Sequence, residues 1–126
     1  MGEGAMTPVL GRIVIYTGKI DQMADFYARH FGFTVKRAEG DRIVELVPQN
    51  AGLSLLLHPL AAKQKEGQVL VKLVFDVEDV AAFCAEASAN GLEFGKVHQA
   101  DGYSFANAKD PSKNSIQVSS RAFAGS

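Results

Sequence analysis

Hydrophobic and polar positions along this chain fall into short blocks whose period switches from two to about 3.6 and back again. Residues 9–17 are rich in β-branched side chains and alternate around Arg12, Val14 and Tyr16, the pattern of a strand. Asp21 is a candidate N-cap, after which Met23, Ala24, Tyr27 and Phe31 recur at helical spacing until Gly32. Three strand-like pieces follow at 33–37, 42–47 and 53–58, separated by turn formers at 39–41 and 49–52. The series then restarts. Residues 69–77 read as a strand, Asp79 as an N-cap, and Val80, Phe83, Cys84 and Ala87 as the apolar stripe of a second helix closed by Asn90-Gly91. Three more pieces, 93–97, 103–108 and 115–119, complete the pattern.

The two halves superpose at a nearly constant offset: Arg12 on Lys72, Met23 on Phe83, Ala24 on Cys84 and Tyr27 on Ala87 are each sixty positions apart. A βαβββ unit that occurs twice is an internal repeat, which fixes architecture more firmly than local propensity does. A ferredoxin-like domain would have two strands between its helices, whereas four fall there in this chain. The expected fold is therefore α+β. Two βαβββ modules, 9–60 and 68–120, would form a curved, mostly antiparallel sheet around a cup, with the helices on the convex face. Both would lie in one domain spanning 7–120, joined by the polar linker 61–67.

Alternation assigns the faces, because successive side chains of a strand point to opposite sides. Ile13, Ile15, Leu53, Leu55, Leu57, Leu73, Phe75, Ile116 and Val118 go toward the helices. Arg12, Tyr16, Ser54, His58, Lys72, Asp76, Ser115 and Gln117 go to the other face. A solvated antiparallel face accounts for such polar positions as readily as a ligand cup does.

Composition narrows the partners. The 126 residues are 47% hydrophobic and 21% charged, enough to bury a core without disulfides or a structural metal. A formal net charge of −1 leaves no basic excess for a phosphate backbone, so nucleic acid is not expected as the principal partner. Cys84 is the only cysteine, which excludes an intrachain disulfide and a cysteine-based zinc site and suits the cytoplasm as the expected location. The longest uncharged stretch, 47–62, is interrupted by Pro48, Gln49, Asn50, His58 and Pro59 and falls short of the ~20 apolar residues that span a bilayer. The start of the chain lacks the basic and apolar regions of a signal peptide, and Met6 breaks the myristoylation pattern that Met-Gly would open. No membrane partner is expected.

With element order βαβββ–βαβββ, the segment DQMADFYARHFGF (21–33) and the closing Asp110-Pro111-Ser112-Lys113-Asn114, the chain resembles the vicinal oxygen chelate superfamily of glyoxalases, bleomycin-resistance proteins and extradiol dioxygenases. Phe26-Tyr27…Phe31-Gly32-Phe33 is similar to that family's "FY…LGF" helix end, and Asp110-Pro111…Asn114…Ile116 to its "DPxGNxIE" hairpin. Lys113 stands where the pattern often has Gly, at a cost of about 1 kcal/mol if the turn needs a positive φ. In metal-dependent members, strands one, four, five and eight each supply one ligand. The resemblance carries these positions onto Arg12, Ser54, Lys72 and Gln117, with Ser54 the least securely placed. Arginine and protonated lysine offer no lone pair, serine is a poor ligand, and glutamine lacks the charge of the usual glutamate. Neither a metal nor another cofactor is therefore expected.

The remaining chemistry is sparse. His30 ends the first helix, where a basic residue complements the dipole. His58 shares the cup face with Arg12, and His98 falls in a loop; no HxH, HxxxH or HExxH spacing links the three. Cys84 falls on a helical apolar stripe, where an inert thiol is expected. The resemblance implies a protein that binds a small anionic or polar molecule through Arg12, Tyr16, Ser54, His58, Lys72 and Gln117, with bleomycin-resistance proteins as the precedent. Bleomycin itself is cationic and suits a cup holding Arg12 and Lys72 poorly. Two alternatives stay open. One is a metal-independent enzyme (lyase, isomerase or dioxygenase-like) with Lys72 as base or as a clamp with Arg12. The other is a structural protein whose cup is filled internally, for example by Arg12 with Asp76 or Glu45. A homodimer is expected, since members of this family commonly pair and open sheets leave edges.

Overall fold

The β-branched run that opens each half forms a strand, and each strand finds its partner far along the chain. In the computed structural model, residues 9–124 are described. Residues 1–8 and 125–126 lie outside the described residues, among them the start considered for a leader or acylation signal and the first two positions of the expected domain. The elements are β1 (Arg12–Thr17), α1 (Ile20–Phe31), β2 (Thr34–Arg37), β3 (Val44–Val47) and β4 (Ser54–Pro59), followed by β5 (Lys72–Asp76), α2 (Val80–Ala89), β6 (His98–Gln99), β7 (Ser104–Lys109) and β8 (Ser115–Ser119). A short 3-10 turn, Arg121–Phe123, follows β8. The chain divides into two compact units at residues 62 and 63.

In the first unit the strands lie in the order β1-β4-β3-β2, with β1 parallel to β4 and the other pairs antiparallel. The register runs Arg12↔Ser54, Val14↔Leu56 and Tyr16↔His58. α1 covers β3 and β4 and buries Met23, Ala24, Phe26 and Tyr27 against Leu46, Leu55 and Leu57. Each fully buried Leu or Met contributes roughly 1.5–3 kcal/mol. Gly32 ends the helix in the left-handed region at φ 73, its N–H donating to the Ala28 carbonyl at 3.1 Å.

The second unit repeats the arrangement, β5-β8-β7-β6 with only β5 and β8 parallel. Asp79 caps α2 by accepting the Ala82 N–H at 3.0 Å. Ala106, Ile116 and Val118 are buried here with Val80, Ala87 and Leu92, while Leu73, Phe75 and Phe83 stay half-buried. This layer is thinner than its counterpart because α2 is built from alanines where α1 offers aromatic rings.

Two local expectations are corrected and one condition is met. α1 starts two residues earlier than the capping pattern suggests, with Lys19 at the N-cap and no side-chain cap bond. Asp21 sits in the first turn and forms an ion pair with Arg37 at 3.0 Å. No strand forms over 93–97: Gly95 makes one backbone bond to Asn107 at 2.9 Å, and pairing begins only at His98. Lys113 does occupy the left-handed region, at φ 71. No helix among the described residues is long and apolar enough to cross a membrane.

Candidate functional site

Each unit turns one sheet face away from its helix, and strand alternation decides what that face carries. In the first unit β1 presents Arg12, Val14 and Tyr16 there, and the parallel register sets Ser54, Leu56 and His58 beside them. Four residues expected at the site, Arg12, Tyr16, Ser54 and His58, thus share one face. Arg12 is not left free. Its Nε lies 3.5 Å from Glu45 Oε2, an exposed pair worth about 0.2–1 kcal/mol that neutralises the cation locally. The Tyr16 and His58 rings touch, with centroids 4.9 Å apart. The His58 Nδ1–H donates to the Pro59 carbonyl at 2.9 Å, because a carbonyl can only accept, and this leaves Nε2 as the acceptor.

In the second unit the same face carries Lys72, Val74 and Asp76 from β5, Ser115, Gln117 and Ser119 from β8, and Phe105 and Asn107 from β7. Asn107 Oδ1 accepts from Lys72 Nζ at 3.1 Å and from Gln117 Nε2 at 2.9 Å, binding three strands together at one atom. Phe105 stacks on His98, the ring centroids 5.0 Å apart and the planes 20° from parallel. The turn after β8 brings the Arg121 guanidinium to the Tyr103 hydroxyl at 3.2 Å, with Cζ 5.4 Å from that ring's centroid. These groups surround an open pocket of about 580 Å³. Val74, Tyr103 and Phe105 supply its apolar surface, and Asp76, Gln117, Ser119 and Arg121 its polar groups.

Of the residues expected from sequence, only Gln117 lines this pocket; Lys72 stands on the same sheet face, tied to Asn107. The strand register also moves one expected site position by two residues. Val14 and Val74 are equivalent in the repeat, and their partners are Leu56 and Gln117, so Leu56 is the first unit's counterpart of Gln117 and Ser54 that of Ser115. Tyr103, Phe105, Asn107 and Arg121 were missed by the sequence reading. Their one legible signal was the alternation of Tyr103, Phe105 and Asn107 toward a face shared with Gln117.

Other reactive side chains lie elsewhere. Cys84 is half-buried, and burial pushes its thiol pKa up, away from reactivity. His30 packs its ring edge against Phe26 at 5.0 Å; burial first and Arg29 second hold its pKa below the usual value, against an opposing pull from Asp25. His30 does stand in the last turn of α1, where the expectation placed it. Among the described residues no group of three His, Cys, Asp or Glu side chains could hold a metal ion.

Two four-stranded mixed sheets, each carrying one helix and together repeating βαβββ, define a glyoxalase-type α+β protein. The sequence profile of the Glyoxalase/Bleomycin resistance protein/Dioxygenase superfamily matches residues 9–118, and the chain belongs to that superfamily. It is 25% identical over 114 residues to the uncharacterized protein YetH of Bacillus subtilis (strain 168), covering 86% of this chain and 95% of that one. Among solved structures it is similar to TnmS3, an antibiotic binding protein from Streptomyces sp. CB03234, with a TM-score of 0.74 and 20% identity over 90% of this chain and 95% of that one. It is similar also to lactoylglutathione lyase from Agrobacterium tumefaciens, with a TM-score of 0.68 and 17% identity over 90% and 94% of the two chains. At these identities the structural likenesses establish the fold.

Proposed function

We propose that this protein binds a small molecule and works without the metal centre of its metal-dependent relatives. What carries this reading is the set of residues at the four positions that the family resemblance implies as ligands: Arg12, Lys72, Gln117 and, where the sequence pointed to Ser54, Leu56 by strand register. Two are cations that repel a dication, one is aliphatic, and the fourth offers a neutral amide whose nitrogen is already engaged by Asn107. A metal does not fit these donors, and no catalytic step is routed through one. The pocket of the second unit supplies the complementary support, since an apolar surface with a few convergent polar groups suits a small organic ligand. The likeness to an antibiotic binding protein agrees with that reading. With Arg12 answered by Glu45, the ligand is polar rather than simply anionic. The proposal includes a homodimer in a reducing cytoplasm.

Native mass spectrometry and elemental analysis of protein purified from its own host test the reading together. The expected result is an adduct of small-molecule mass and no stoichiometric metal. About one Zn, Ni, Mn or Fe per chain, retained through gel filtration, would overturn it, and His58 would then be the first ligand to replace.

A further inference from the structure

We propose, building on the small-molecule reading above, that the pocket of the second unit takes an amphoteric ligand, a ring-sized apolar body carrying one acidic and one basic group. The argument starts from how charges on the helix-free faces are answered. Arg12 has Glu45, Lys72 has Asn107, and Lys109 donates to Ser115 at 3.0 Å. Asp76 and Arg121 differ. They carry opposite charges and line the same pocket, yet form no ion pair with each other or with any other described residue. The Asp76 carboxylate has no hydrogen-bond partner among the described residues, and the Arg121 side chain has only the neutral Tyr103 hydroxyl and ring.

Arg121 is also held in place. Its backbone N–H donates to Ser119 Oγ at 3.1 Å, Ser119 is buried, and Tyr103 flanks the exposed guanidinium, which fixes the start of the side chain and gives its end one neighbour. Gln117 has spent an amide N–H on Asn107, which leaves its carbonyl oxygen as a second acceptor in the pocket that Asp76 also lines. These acceptors suit an ammonium, the basic pole of a ligand, and the Arg121 guanidinium suits a carboxylate, its acidic pole. Val74, Phe105 and Tyr103 supply the apolar surface of the same pocket.

Charge balance then selects the ligand class. A simple anion would meet Arg121 but bring negative charge toward Asp76, and a simple cation would do the reverse. A neutral molecule would strip water from both side chains and return nothing. Only a ligand with both groups satisfies both poles. A volume of about 580 Å³ accommodates one such ring-sized molecule.

The test uses three probes of matched shape, 4-(aminomethyl)benzoate, 4-methylbenzoate and 4-methylbenzylamine, titrated at pH 7 into the full chain while the ring signals of Tyr103 and Phe105 are followed by NMR. The zwitterion is expected to bind more tightly than either singly charged probe by up to about fivefold, the scale of one added exposed ion pair. In Asp76→Asn its advantage over the acid should vanish, and in Arg121→Gln its advantage over the amine, with thermal melting confirming that both variants remain folded. Equal binding of all three probes at these rings overturns the amphoteric ligand while leaving the small-molecule reading standing. An advantage that survives in both variants overturns the assigned poles. Silence from all three overturns the ligand class, and the native mass spectrum then decides the broader reading alone.

Discussion

Lys113 shows what one side chain costs when its backbone is dictated from elsewhere. Asp110 is buried, and its Oδ1 accepts the N–H groups of Ser112 and Asn114 at 2.9 Å each while Oδ2 accepts from Asn114 Nδ2 at 3.0 Å. That network closes the turn and leaves residue 113 in the left-handed region, where a Cβ crowds its own carbonyl. Gly67 packs against it so closely that an added Cβ would fall 2.8 Å from Lys113 Cβ. Lys113→Gly is expected to stabilise the protein by about 0.5–1 kcal/mol, the relieved strain less the added freedom of the unfolded chain. Thermal melting should show it as a rise of about 2–4 °C. His30 makes a second residue-level prediction. Its folded pKa is lowered, so the unfolded chain takes the proton first as acid is added. Stability should be unaffected by this group well above the ordinary histidine pKa of about 6.5 and should fall as pH drops through that value. Urea titrations at pH 7.5 and 5.5 should show the loss, and His30→Gln should lessen it.

Among the elements, the helices show how far a local rule reaches. The Asp79 cap is made as the sequence suggests, and Asp79→Ala should cost about 1 kcal/mol in chemical denaturation, with the loss confined to α2 in amide exchange. The equivalent reading of Asp21 fails because the helix already begins at Ile20; Asp21 lies inside its first turn and pairs instead with Arg37 on β2, sixteen residues away. Residues 93–97 read as a strand, but Gly95 interrupts them and no ladder forms there. Repeat, element order and buried faces were legible because each is written in a period. The site was less so. The offset is sixty between Arg12 and Lys72 but sixty-one between β4 and β8, and it matches Gln117 with Leu56, two residues beyond Ser54. Arg121 lies beyond the last strand, where no period operates.

At the scale of the molecule, the two units share a topology and differ in use. The first packs aromatic rings of α1 over its sheet and pairs Arg12 with Glu45, whereas the second has the thinner core and the pocket with two unanswered charges. Just ahead of β5, an edge strand, Val69, Leu70 and Val71 are 57%, 102% and 59% exposed. Three consecutive aliphatic side chains in water beside an open edge favour contact with a second copy. Sedimentation at micromolar concentration should give a dimer, and Leu70→Asp should shift it toward a 13.5 kDa monomer. A wild-type monomer under those conditions would remove the homodimer from the proposal.

The parallel pairing of β1 with β4, and of β5 with β8, bears on the order in which the chain acquires its structure. In each unit the later strands meet through short connections and can zip together in sequence, whereas the parallel pair closes a loop of about forty residues. Closure over that distance is slow compared with hairpin formation. β1 therefore leaves the ribosome first and waits longest, its ladder unmatched until Ser54 and its neighbours have been synthesised; β5 repeats the delay half a chain later. The strands that open each unit are therefore the last to dock.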